Sequence, residues 1–168
     1  MKFPYLASVL LASALTLAPL AHADTLAYPS PDAASFMVDY PSSWELTPGE
    51  AVGDYLTLMS DGGTTLMLRT LPGKSEEVEQ AVKDSIAYVQ ENYKNVKVGD
   101  PVEVKQAGQD AFVMDGNGKD SEGASVVFRM AWVALNDGTI GEIWFVGPTE
   151  DADGIGEAAA ILDSLRSP

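Results

Sequence analysis

The chain has 168 residues, with ten Lys and Arg against 25 Asp and Glu, one histidine, no cysteine and a formal charge of −15. Nucleic acid and anionic lipid both call for a basic face, so neither fits as a partner. Cations or basic proteins suit such a surface better, although net negative charge also serves simply to keep a protein soluble.

Residues 1 to 23 have the layout of a cleavable signal peptide. Lys2 supplies the positive start, the stretch from Leu6 to Leu20 is almost wholly Ala, Leu, Val, Ser and Thr, and Ala21-His22-Ala23 places small residues before Asp24. A retained membrane anchor would need about 20 apolar residues, whereas Pro4 and Pro19 bound this run and hydroxyl residues interrupt it. Cleavage is therefore expected, with the product in the periplasm or outside the cell. No later segment is apolar for long enough to span a bilayer.

Cleavage after Ala23 removes the sole histidine, His22, and leaves 145 residues, enough for one domain with a real core. Lys2 departs with the leader, so nine Lys and Arg then face 25 acids and the charge becomes −16. Without imidazole or thiol, the mature chain has no Ser-His-Asp triad, Cys nucleophile, Cys/His zinc site, or haem or iron-sulfur centre held by those ligands. Carboxylate, hydroxyl, lysine and tyrosine chemistry remains.

Residues 24 to 34 contain two prolines and little periodicity, which predicts an extended leader, with a single domain over 35–168. Ser35 to Tyr40 predicts a strand stopped by Pro41, and Pro41-Ser42-Ser43-Trp44 a turn that folds Trp44 onto the core. Strands are expected at Asp54 to Met59 and Thr64 to Leu71, joined through Ser60-Asp61-Gly62-Gly63. Over residues 75 to 94 the period changes. Val78, Ala81, Val82, Ile86, Val89 and Tyr93 recur at three and four, predicting an amphipathic helix with Ser75 as N-cap and Lys94 in the last turn.

Val96 to Lys105 and Asp110 to Asp115 read as strands joined by Gln106-Ala107-Gly108-Gln109, with Pro101 marking an edge or a bulge. From Ser125 to Leu135 the alternation is longest: Val126, Phe128, Met130 and Trp132 share one face, and Ser125, Val127, Arg129 and Ala131 the other. Asn136-Asp137-Gly138 turns the chain into a strand from Ile140 to Val146. A final helix is predicted over 152–166. The fold class is α+β, a mostly antiparallel sheet of about seven strands flanked by two helices.

Phe36-x-x-x-Tyr40-Pro41-x-x-Trp44, the mid-chain helix, the consecutive hairpins and the closing Ile161-Leu162-x-Ser164-Leu165-Arg166 resemble the PsbP-like family over roughly residues 34 to 166. That family includes the extrinsic photosystem II protein, a Ran-binding nuclear import factor and bacterial exported proteins such as DcrB. The resemblance implies the fold and a binding or assembly role in place of catalysis. It carries over no site residue, and the lipobox cysteine of lipoprotein members is missing.

Among candidate sites, Asp115-Gly116-Asn117-Gly118-Lys119-Asp120-Ser121-Glu122 has alternating oxygen side chains in a Gly-rich run, but Lys119, Asp120 and Val126 stand where an EF-hand needs an oxygen ligand, glycine and glutamate. A polar hairpin loop is the preferred reading. Glu150-Asp151-Ala152-Asp153 could hold a cation or a basic partner, yet fits better as the start of the last helix. Arg129 is the only charge in its long strand. It would be paired, and a candidate anion ligand, if its face were covered; a solvated face is the preferred reading. Trp44, Trp132 and Trp144 read as core, with a ligand groove as the alternative. No GxSxG elbow, SxxK, P-loop or GxGxxG after a strand occurs.

The sequence thus assigns no catalytic, cofactor-binding or metal residue and no cofactor. It points to an exported, non-enzymatic binding or accessory protein recognising a protein or envelope component. The acids leave weak divalent-cation binding open, and a carboxylate-based hydrolase or a divalent-cation-binding domain is the alternative.

Overall fold

The computed structural model describes residues 23–50 and 53–168, so the leader up to His22 lies outside the described residues. Strand β1 (Ala23–Tyr28) and a single 3-10 turn (Pro31–Ala33) precede β2 (Phe36–Pro41), β3 (Glu45–Thr47), β4 (Leu56–Met59) and β5 (Thr65–Pro72). Helix α1 (Ser75–Asn92) follows, then β6 (Lys94–Val98), β7 (Val102–Gln106), β8 (Gln109–Lys119), β9 (Ser125–Ala134), β10 (Thr139–Pro148) and α2 (Ala152–Asp163). The class is α+β as expected, with ten strands among the described residues where about seven were read.

Eight strands form one antiparallel sheet in the order β3-β4-β5-β10-β9-β8-β6, with β7 pairing β8 beside β6. The long apolar strands β9 and β10 lie at its centre, where both faces can be covered; their alternation accordingly feeds two cores. One packs Leu58, Leu66, Val133 and Phe145 against Phe36, Val38 and the α2 residues Ala158, Ile161 and Leu162. The other sets Phe128, Met130, Trp132 and Trp144 under Val89 of α1. Three layers result: the β1–β2 hairpin with α2, the sheet, and α1.

The stretch expected to be an extended leader is in part a strand. Thr25, Leu26 and Ala27 of β1 oppose Asp39, Val38 and Met37 of β2, and the rings of Tyr28 and Phe36 stack 5.3 Å apart. Two prolines obscured the pairing, because both fall after the strand. Pro41 ends β2 as expected, and Trp44 is buried. The segment Val96 to Lys105 is two strands. The chain breaks around Gly99 to Pro101, where Pro101 has no amide to donate, and Gly99 N–H donates to Asp115 O at 2.8 Å. Pro101 does mark an edge, since β6 and β7 flank the same outer side of β8.

Helix α1 is shorter than predicted: Ser75 is its first residue, the capping position is Lys74 without a side-chain cap, and Lys94 already belongs to β6. Its buried positions are Ala81, Ser85 and Val89. Strand β8 reaches Lys119, so five of the eight residues of the supposed 115–122 loop are sheet.

Candidate functional site

A charged pair, Arg69 and Glu142, is built into the sheet. Arg69, Glu142 and Trp132 are cross-strand neighbours on β5, β10 and β9, on the face toward α1. Glu142 is fully buried. Its Oε2 accepts from Arg69 Nε at 2.5 Å and from Tyr55 Oη at 2.8 Å; its Oε1 accepts from Ser85 Oγ at 3.0 Å and Trp132 Nε1 at 3.1 Å. A carboxylate removed from water needs such partners, and here both oxygens are engaged. The guanidinium of Arg69 also lies 4.3 Å from the Tyr55 ring centroid. Burial, reinforced by Glu142, pushes the Tyr55 phenol well above its ordinary value. Burial alone would lower Arg69, but the Glu142 contact outweighs it and the net shift is upward. The group joins β5, β9, β10, α1 and the segment before β4, and its donors leave Glu142 no free oxygen for proton transfer to a substrate.

Beside this hub, α1 leaves part of the sheet uncovered. Two adjoining hollows of about 260 and 310 Å³ share Val78, Phe112 and Trp132. Val78 and Val82 of α1 form one wall, Phe112 and Met114 of β8 the floor with Trp132, and Pro101 the far side. Phe112 is 48% exposed, although large aromatics on strands are usually covered. The rim bears Glu79, Lys83, Glu103 and Asp110. Lys105 pairs with Asp110 at 2.5 Å, while Glu79 and Glu103 have no ion pair or hydrogen bond among the described residues. Trp132 therefore has two roles: its indole N–H holds Glu142, and its ring floors the groove.

The candidates read from sequence sit elsewhere. Arg129 is paired and half-exposed: its guanidinium makes a bidentate pair with Asp115 of the neighbouring strand, at 2.7 and 2.9 Å. The Asp115 contact raises its affinity for its proton against the opposing effect of burial. Occupied in this way, it offers an anion only a competed site. In the 115–122 stretch, Asp120 Oδ1 accepts from the amides of Glu122 and Ala124, Lys119 Nζ donates to Gly123 O, and Lys94 Nζ to Ser121 O. The oxygens stabilise the turn and do not converge on one point. Among the described residues, no cluster of three or more carboxylates with metal-holding geometry occurs.

Asp151 of the 150–153 run is the N-cap of α2, accepting from Gly154 N at 3.1 Å. Its other oxygen accepts from Ser60 Oγ and from the amide and hydroxyl of buried Thr64, tying α2 to the β4–β5 turn. Trp44, Trp132 and Trp144 are all buried. Trp44 Nε1 donates to Glu157 Oε2 at 2.7 Å; Trp144 packs edge-on against Tyr55 and Tyr88.

Sequence reasoning missed the hub. The signal was present: Glu142 and Arg69 each interrupt a strand that is otherwise apolar or hydroxyl-bearing, the same mark that singled out Arg129.

No protein-family model and no curated protein matches the chain at sequence level. Solved structures do match. The chain is similar to the Saccharomyces cerevisiae Ran-binding protein Mog1p, with 13% identity and a TM-score of 0.56 over 87% of this chain and 95% of that one. It is also similar to cyanobacterial PsbP from Synechocystis, with 10% identity and a TM-score of 0.59 over 94% of this chain and 99% of that one. At such identities the likeness shows the fold. The chain has the PsbP-like α+β fold that its short N-terminal motif and closing helix implied.

Proposed function

We propose that this protein is an exported, non-enzymatic binding or accessory protein that recognises a protein or envelope component through the groove between α1 and β8. The half-exposed Phe112, set in the apolar floor of the groove, carries the reading. Water gains nothing from contact with such a surface, and a partner that covers it recovers the hydrophobic free energy. The buried hub supports a role other than catalysis, because the fully enclosed acid Glu142 is saturated with donors. Mog1p is described as Ran-binding, which makes protein recognition on this fold a reasonable precedent.

Export rests on the leader. Cutting after Ala23 preserves the β1–β2 ladder from the Asp24–Tyr40 pair onward, so processing is compatible with the fold. The exported protein should have an intact mass beginning at Asp24, and a mass beginning at Met1 would overturn this part. Binding is tested by crosslinking and pull-down from the native envelope. One or a few specific adducts are expected, and recovery of none would contradict the reading.

A further inference from the structure

The occupant of the groove can be narrowed by its chemistry. We infer, building on the binding role above, that the groove takes a protein segment whose large apolar side chains are flanked by lysine or arginine. Two independent features select it. Half-exposed Phe112 offers apolar contact to side chains of similar size, buried Met114 and Trp132 back it from beneath, and the Val78 and Val82 wall makes the site a trough and not a flat patch. The rim then sets the sign of the charge. Glu79 on the helix side and Glu103 on the β7 side have no partner among the described residues, Asp110 is offset by Lys105, and Lys83 on the helix side is the cation at the rim. The chain as a whole carries −15, so its long-range field favours the same partner. An acidic or phosphorylated segment would meet repulsion from Glu103 at the β7 edge and from the overall charge of the chain, while Lys83 offsets Glu79 at the helix edge.

The probe is a fluorescently labelled ten-residue peptide in which phenylalanine and leucine alternate with lysine, compared with a counterpart carrying glutamate in place of lysine. Binding to the full chain is followed by anisotropy, with circular dichroism as the folding control. The lysine peptide should bind and the glutamate peptide should not. Phe112→Ser, at a half-exposed position, should weaken binding about tenfold by removing most of one buried aromatic contact. Glu79→Lys with Glu103→Lys should weaken it as well and flatten its salt dependence.

Equal binding of the two peptides, binding that Phe112→Ser leaves unchanged, or no binding of either would overturn the inference. So would self-association of the chain that Phe112→Ser abolishes, since a second copy would then own the groove. Failure of the peptides alongside a specific adduct from the native envelope would remove this inference alone and leave the binding role standing. Peptide binding with no envelope adduct would support the inference while counting against that role.

Discussion

At the scale of single residues, two carboxylates organise most of what is buried and polar. Glu142 accepts from four side chains inside the sheet, so replacing it strands several donors at once. Glu142→Ala should cost about 3–5 kcal/mol, the range for breaking a buried pair by removing one partner. Glu142→Leu combined with Arg69→Met should recover a large part of that loss, because no charge is then left unpaired. Urea unfolding of the single and double variants checks both statements. Asp151 is the second case. Asp151→Ala removes the α2 cap and three bonds from Ser60 and Thr64, and should cost about 2–3 kcal/mol. These roles were only partly legible beforehand. The cap is a local signal, and the 150–153 acids could be read as one. The Glu142 partners come from β5, β9, α1 and the segment before β4, and no sequence window contains all of them.

At the scale of elements, periodicity located the two helices and the central hairpins, because β9 and β10 are long and α1 and α2 carry clear apolar stripes. What it missed were short edges. β3 is three residues long, β1 is sealed only by its partner β2, and the break at Pro101 turned one expected strand into two. Such strands owe their existence to neighbours more than to their own pattern. The β1–β2 hairpin is fastened at Asp39, which accepts from Arg166 at 2.7 and 2.8 Å and from Thr25 Oγ1 at 2.7 Å, while Met37 exchanges backbone bonds with Arg166. Arg166, then Thr25, hold the Asp39 carboxyl below its ordinary value, and Thr64 above all does the same for Asp151.

Both shifts have the same sign in pH. A depressed carboxylate contributes stability that is complete above its unfolded pKa of about 3.9 and is lost as pH falls through its lower folded value. The wild-type melting temperature should therefore fall in acid below that point, and Arg166→Gln should shrink the part that comes from Asp39. An unchanged acid profile in Arg166→Gln would contradict this role for the half-exposed Asp39–Arg166 pair.

At the scale of the whole molecule, the fold could be read in advance because the PsbP-like motif is made of core and turn residues. Phe36, Trp44, Ile161, Leu162 and Leu165 are all buried in the same core. The groove could not be read, because Val78, Phe112 and Trp132 also have ordinary core patterns. Only the placement of α1 over part of the sheet determines which of them is covered: Trp132 is buried, whereas Phe112 is left half-exposed. The central claim is that this uncovered strip is where the protein meets its partner. It is tested most directly by placing a photoreactive side chain at position 112, and in a separate variant at exposed position 122, and irradiating each in the native envelope. A discrete adduct from position 112 and none from position 122 is predicted; the same adducts from both, or an adduct from position 122 alone, would contradict it.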